Sequence, residues 1–238
     1  MAEVRRLIES GAIGKVVSVR ASFCQNDGAG SCSAMAETGI YCAQLLLWTC
    51  EYSMPEPVMP QPSYRTSCLL ALTTCASSGA LPGADGGVAP RVAGVTYSLD
   101  DETGHDTHVA AVLEWPCGGV GSFECSLRHP SPRSATICGT LGVIELPFPF
   151  WCPAEVTVQT MTGLGSQTFG EKKTIRFPLP EVSGAERLNF VHSEGLLYEA
   201  AEATRCLQQG YTESPLFGSD ECLAVMRLIS EIRSRWSA

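Results

Sequence analysis

Three absences narrow the class of this protein. The sequence has no apolar run approaching the roughly 20 residues of a membrane span. Charged residues at positions 3, 5, 6 and 9 occupy the place of a signal peptide's apolar core. No basic cluster with interleaved aromatic residues occurs, and the net charge is -9. We therefore expect a cytoplasmic protein whose partners include neither a membrane nor a nucleic acid.

Paired cysteines are absent as well. The twelve cysteines are scattered, and no two are spaced as a Cys-x-x-Cys metal or redox motif. Without a secretory signal, most are expected to be reduced and buried, where a thiol packs as a small hydrophobic group. The sequence therefore predicts neither a metal site nor a set of disulfides.

The residues that are present indicate a single α+β domain over residues 1–238. Hydrophobic residues make up 45% of the chain and charged residues 17%, which is ample material for a core. An amphipathic helix over Ala2–Glu9 is followed by Gly11, a residue suited to a left-handed helix cap, and by a strand over residues 15–23. A helix over residues 34–49 follows. A segment rich in proline and glycine, at about 51–90, then interrupts the domain.

The second half of the chain predicts strands and then helices. Alternating segments separated by glycine and proline predict strands over residues 92–99, 108–114, 120–127, 134–138, 142–146, 155–159 and 173–177. Helices are predicted over residues 185–209 and 219–236. Hairpin-length breaks favour an open, mostly antiparallel sheet with helices packed on one face. The other face is then available for dimerisation, so we expect a homodimer through the sheet.

Five blocks of sequence carry a family resemblance. They read LIESGAIGKVVSVRASF, ETGIYCAQ, LEWPCGGVGSFECS, ATICGTLGVIELPFPFW and a C-terminal segment that begins YEAAEATRCLQQG. Together they resemble the C-terminal domain of the glucose-fructose oxidoreductase and inositol dehydrogenase family, and within it the dimeric dihydrodiol dehydrogenases. The resemblance implies a domain that binds substrate and dimerises. Because it starts directly after Met1, we expect the family's N-terminal cofactor domain, with its glycine-rich turn and its lysine, to be absent.

The second block contains the candidate catalytic pair. Where the dihydrodiol dehydrogenases have GGGALLDIGVY, this sequence has SCSAMAETGIY, so Tyr41 occupies the family's tyrosine position and Glu37 its aspartate position. Residues four apart on a helix share one face. A phenol beside a carboxylate can donate a proton or anchor a substrate oxygen. The alternative is that Tyr41 packs at the sheet and Glu37 is only solvated.

Four further residues are candidates for substrate binding. His108 begins a strand, Arg128 and His129 end the next strand, and Trp151 closes the fourth block. The two histidines and the arginine could face one cavity, or they could lie on the surface. The acidic residues and histidines between positions 100 and 108 could form a metal cluster, but such a polar loop more commonly contacts solvent, and no metal ligand is assigned.

No cofactor is predicted. Gly28 and Gly30 precede a helix, but the third glycine of a dinucleotide motif is replaced by Ser33, and no second parallel strand with an acidic residue follows. The preferred hypothesis is a cofactor-independent isomerase, lyase or cyclase of secondary metabolism. It would act on a small, largely apolar substrate, with Tyr41 as acid or anchor and Glu37 as base.

Two other functions stay open. One is an NAD(P)-dependent oxidoreductase, similar to dihydrodiol dehydrogenase, whose cofactor domain is on another chain or missing. The other is a non-catalytic binding or scaffold protein that keeps only the dimerising sheet.

Overall fold

The computed structural model describes residues 1–28, 32–51, 89–163 and 168–236. The predicted insert at about 51–90 lies outside the described residues except at its ends. In the described part of the chain, no helix is long and apolar enough to cross a membrane. The nine cysteines whose side chains are described there are free thiols.

One eight-stranded open sheet forms the body of the protein, in the order β2-β3-β4-β1-β5-β6-β7-β8. Every neighbouring pair is antiparallel except β1 and β4, which are parallel. The prediction of a mostly antiparallel open sheet is therefore confirmed. The strands are β1 Val16–Cys24, β2 Arg91–Leu99, β3 Asp106–Glu114, β4 Val120–Ser126, β5 Ala135–Gly139, β6 Gly142–Leu146, β7 Glu155–Thr160 and β8 Lys173–Arg176.

The described helices are α1 Ala2–Glu9, a π-helical segment Met35–Gly39 that continues into α2 Ile40–Glu51, α3 Leu196–Gln208 and α4 Ser219–Ser234. The face of the sheet on which α2 packs is called the helix face. Helix α2 packs on β1 and β4, and α4 packs on α2 and β2. A side chain on Gly121 of β4 would lie 2.8 Å from Leu46 Cδ2 of α2. This glycine therefore permits the close contact between helix and sheet.

The first helix ends as its sequence predicts. Gly11 adopts a left-handed conformation with a φ of 70°. Its N–H donates to the carbonyl of Ile8 at 3.0 Å, and the N–H of Ala12 donates to the carbonyl of Leu7 at 3.1 Å. These two bonds form a Schellman cap, which satisfies carbonyls that the helix leaves unpaired.

The opposite side of the sheet, the open face, carries small and polar side chains. Strand alternation directs Thr96, Ala110, Ser122, Arg20 and Thr136 to this side, where they border a cavity of about 460 Å³. The neighbouring residues of β3, such as Val109 and Ala111, point to the helix face and are buried. The two faces therefore differ because the side-chain period of a strand is two.

The predicted helix over residues 185–209 is wrong in its first half. Two short 3-10 turns, Ala185–Arg187 and Ser193–Gly195, precede α3. His192 has a left-handed φ of 62°, which no α-helix contains. Its Nδ1 lies 2.7 Å from the carbonyl oxygen of Cys152. A tertiary hydrogen bond thus fixes a conformation that the local sequence does not specify.

Candidate active site

The segment that carries Tyr41 and Glu37 begins against the sheet. Asp106 of β3 is fully buried, and its carboxylate accepts the N–H of Met35 at 2.7 Å. Gly39 lies against β4, where an added Cβ would be 2.8 Å from Cys125 Sγ. The π-helical turn between these two anchors leads into α2, and wide turns of this kind are frequent at functional sites.

Tyr41 lies at the border of an aromatic cluster. We define this cluster as Phe23, Tyr41, Phe148, Phe150 and Trp151. Phe23 and Trp151 stack with centroids 4.0 Å apart, and the Tyr41 ring lies 5.4 Å from Phe23 and 6.2 Å from Trp151. Phe23 and Phe150 are buried, whereas Tyr41 is 42% exposed. The cluster therefore has a buried side, formed by Phe23 and Phe150, and an exposed edge that includes the Tyr41 phenol.

A cation lies at the other end of the cluster. The guanidinium carbon of Arg133 lies 4.3 Å from the centre of the Phe148 ring, and Phe148 packs edge-on against Trp151. The Nε of Arg133 is buried without a hydrogen-bond partner in the described part of the chain. Sequence reasoning missed Arg133, Phe148 and the site role of Phe23. The run PFPFW was the one local signal that could have indicated an aromatic cluster.

Glu37 contacts the loop that follows β1. Gln25 Nε2 donates to its Oε1 at 3.4 Å, and the thiol of Cys32 contacts its Oε2. Both Glu37 and Tyr41 are exposed. In this arrangement Glu37 connects the helix to Gln25 and Cys32.

The other sequence candidates divide between the two faces of the sheet. Trp151 belongs to the aromatic cluster on the helix face. His108 points to the open face, where its Nε2 lies 3.0 Å from Glu124 Oε1, and His129 Nε2 lies 3.5 Å from the same oxygen. Arg128 is exposed just after β4. The sheet therefore separates His108 from Tyr41, because strand alternation sends Phe23 and His108 to opposite sides.

The loop that begins at Asp100, which the sequence offers as a possible metal cluster, forms an ordinary turn. Asp100 Oδ1 accepts the N–H of Thr103 at 2.9 Å and the N–H of Glu102 at 3.2 Å. The hydrogen bonds from Thr103 lower the pKa of Asp100. This carboxylate is thus engaged within its own turn.

The described residues do not fit a dinucleotide. Such a site uses consecutive parallel strands joined by a helix, with a glycine-rich turn at the helix start. The one parallel pair among the eight described strands is β1 with β4, and β4 follows β1 only after β2 and β3. The described residues therefore form no dinucleotide site by themselves.

Comparison with solved structures identifies the class of fold. No family model matches the chain. The 3-ketoreductase KijD10 from Actinomadura kijaniata, solved with TDP-benzene and NADP, aligns with a TM-score of 0.61 at 14% identity, over 98% of this chain and 56% of that one. The sheet and helices described above therefore share the fold of about half of that ketoreductase.

Sequence similarity points to a particular group of enzymes. The trans-1,2-dihydrobenzene-1,2-diol dehydrogenase of Bos taurus is 28% identical over 238 residues, which cover 97% of this chain and 56% of that protein. The Sus scrofa enzyme is 34% identical over 132 residues, which cover 56% of this chain and 36% of that protein. The chain is homologous to these dehydrogenases and spans just over half the length of the bovine protein.

The preferred hypothesis of a non-redox isomerase, lyase or cyclase is wrong. The proteins that this chain resembles are dehydrogenases and a ketoreductase, and all of these are redox enzymes. The hypothesis gave too much weight to the absence of a cofactor motif. The five matched sequence blocks were the stronger signal, and they point to an oxidoreductase.

Proposed function

We propose that this chain is the substrate-binding part of an NAD(P)-dependent oxidoreductase that acts on a hydroxyl group of a small cyclic substrate. The name of its relatives, trans-1,2-dihydrobenzene-1,2-diol dehydrogenase, suggests a cyclic diol. One observation carries the proposal: the exposed phenol of Tyr41 borders the stacked rings of Phe23 and Trp151. A flat apolar substrate ring can pack against the edges of these two side chains while its hydroxyl group contacts the Tyr41 phenol.

Tyr41 handles the substrate oxygen in this proposal. Its hydroxyl group makes no hydrogen bond with any other residue described in the structure, so it is available to a ligand. A phenol both donates and accepts, and can therefore orient a substrate hydroxyl and exchange a proton with it. A bound nicotinamide would supply the hydride chemistry.

Glu37 is a positioning residue in this proposal. Its contacts with Gln25 and Cys32 fix the chain beside the first turn of α2, which carries Tyr41. A direct role as base stays a prediction.

The proposal places the cofactor in a body that packs beside this domain. Apolar side chains before and at the start of α3 are exposed, with Phe190 at 77%, Leu196 at 61% and Val191 at 54%. A surface of this kind is typical of a contact with another protein body. It supports the reading that this domain works together with a separate cofactor-binding part.

We also propose that the open face of the sheet forms a homodimer. This face is wide and carries the exposed side chains of Val112 and Val120 between small polar residues. An isologous contact would pack the part of this face around Val112 and Val120 against the same part of a second copy, and would leave the end of the face at Cys24 open.

Ligand binding tests the proposed substrate class. Titration of the purified chain with trans-1,2-dihydrobenzene-1,2-diol should give saturable quenching of tryptophan fluorescence. Tyr41→Phe should weaken binding about fivefold, because one hydrogen bond contributes roughly 1 kcal/mol. Tyr211→Phe is the matched control, since Tyr211 is exposed beside Arg205 and away from the aromatic cluster. Absence of saturable binding, or equal effects of the two variants, would contradict the proposal.

A second titration tests where the cofactor is held. The chain alone should bind NADP weakly or not at all by calorimetry, because the described residues form no dinucleotide site. Tight binding would show instead that residues outside the described ranges hold the cofactor within this same chain.

A further inference from the structure

Four side chains with metal-binding groups meet at one end of the open face. Cys24 is the last residue of β1, Glu124 lies in β4, His129 follows β4, and His108 lies in β3. The strand register aligns His108 and Cys24 with Ser126, and Ala110 with Glu124, so Cys24, Glu124 and His108 are neighbours on one side of the sheet. His129 follows β4, and its Nε2 lies 3.5 Å from Glu124 Oε1. The four residues are far apart in sequence and form no local motif.

The potential ligand atoms are close together. One atom from each of Cys24, Glu124 and His129 lies within 4.8 Å of the other two. His108 Nε2 lies 3.0 Å from Glu124 Oε1, the oxygen that His129 Nε2 approaches to 3.5 Å. Cys24 is fully buried beneath the group, whereas the side chains of Glu124 and His129 are 42% and 46% exposed. An ion from solvent can therefore reach a site with a buried thiol at its base.

Backbone hydrogen bonds hold the group together. The N–H of Cys24 donates to Ser131 Oγ at 3.0 Å, and the N–H of Ser131 donates to the carbonyl of Cys24 at 3.1 Å. These bonds fasten the loop that carries His129 to the end of β1. The two ligand positions are thus fixed relative to each other before any ion binds.

The orientation of His129 favours a cation at this point. Its Nδ1 lies 3.2 Å from the carbonyl oxygen of Pro130, which can only accept, so Nδ1 carries the hydrogen. The other ring nitrogen, Nε2, faces the carboxylate of Glu124 at 3.5 Å, so both groups can contact one ion placed between them. An imidazole held in this way through its other nitrogen is the usual arrangement of a metal-binding histidine.

We propose that Cys24, Glu124 and His129 bind a divalent transition-metal ion, and zinc in particular. Thiolate, imidazole and carboxylate are the three side-chain ligands of zinc, whereas calcium and magnesium take oxygen ligands. Ligand distances of about 2.0 to 2.3 Å require the three groups to draw together by roughly 1 Å. His108 orients Glu124 through its hydrogen bond. Three protein ligands leave one coordination position for water.

Cobalt substitution tests this site directly. The reduced, chelator-treated chain should bind one Co²⁺ and show a thiolate-to-cobalt charge-transfer absorption, and Zn²⁺ should displace the cobalt. Cys24→Ser should abolish that absorption, and His129→Gln should weaken Zn²⁺ binding about tenfold or more in calorimetry. Cys222→Ser and His105→Gln are the matched controls, because both residues are exposed elsewhere.

Folding is checked separately for each variant. Circular dichroism of the metal-free proteins should be the same for wild type and variants, and only the wild type and controls should gain thermal stability on addition of Zn²⁺. The proposal is overturned if the wild type shows no thiolate absorption with Co²⁺, or if Cys24→Ser keeps it. Unchanged Zn²⁺ affinity in His129→Gln would equally overturn the proposed ligand set.

Discussion

Phe23 and Trp151 stack almost in parallel, with ring planes 4° apart and centroids separated by 4.0 Å. Phe23 belongs to β1, and Trp151 lies in the connection between β6 and β7. The contact therefore joins two parts of the chain that are far apart in sequence. This stacked pair gives the candidate site its flat apolar surface, and Tyr41 adds the polar group at its edge.

Removal of one ring from this pair should weaken ligand binding. Trp151→Leu keeps an apolar side chain but loses the stacking, which is worth about 0.5 to 1.5 kcal/mol. We expect the affinity for a cyclic diol to fall about two- to tenfold in calorimetry. Trp236→Leu is the control, because Trp236 packs on Tyr97 and Arg233 outside the cluster. Equal affinities for wild type and Trp151→Leu would argue against this surface as the ligand site.

The close approach of the π-helical segment to β4 should depend on Gly39. An added Cβ would lie 2.8 Å from both Cys125 Sγ and Met35 Sδ. Gly39→Ala should therefore lower the free energy of unfolding by about 1 to 3 kcal/mol, the usual cost of overpacking. Helix propensity alone would give the opposite sign. Gly94→Ala is the control, since no atom lies within 4 Å of its added Cβ. Urea denaturation distinguishes the two outcomes.

The stability of the α3 region should depend on pH through Glu202. Hydrogen bonds from Arg205 and then Ser214 lower the pKa of Glu202 to about 2. A carboxylate whose pKa is lower in the folded state than in the unfolded state stabilises the folded state. This stabilisation is complete above the unfolded-state pKa of about 4.3 and is lost as the pH falls toward 2. Glu202→Gln should therefore make the free energy of unfolding fall less steeply between pH 5 and pH 2.

Urea denaturation at several pH values in that range measures this slope. Ser214→Ala retains the Arg205 pair, so it should reduce the slope only in part. Parallel pH profiles for wild type and Glu202→Gln would show that this carboxylate does not contribute.

The oligomeric state should depend on the open face of the sheet. Val112 is 41% exposed there, and a charge at the centre of an isologous contact would face its own copy. Val112→Asp should convert the homodimer to a monomer in light scattering after gel filtration. Val182→Asp introduces the same charge at an exposed position outside the sheet and should leave the dimer intact. A monomeric wild type would refute the proposed dimer.

Much of the fold could be predicted from local sequence. Gly11 marked the end of α1, and alternation located every strand of the sheet to within a few residues. The segment before α3 was predicted to be helical and is not. It shows that local sequence does not specify every element. His192 is held by the carbonyl of Cys152, and no pattern around His192 indicates that contact.

The candidate site was predictable only in part. Tyr41 and Trp151 were found through a family resemblance, and the structure brings them together beside Phe23. The sequence analysis predicted that His108 binds the substrate on which Tyr41 acts, because His108 begins a strand. Strand alternation instead sends His108 to the open face with Glu124.

The sequence by itself determined the strands, most of the helices and the two contrasting faces, because periodicity and turn residues act over a few positions. Tertiary structure decided which side chains meet. The order of the strands brings Cys24, Glu124 and His108 to one end of the open face, where His129 joins them. On the helix face, Phe23 stacks on Trp151. Pairing between distant strands is fixed by packing of the whole sheet. The local run PFPFW could therefore indicate aromatic residues, but not their contact with Phe23.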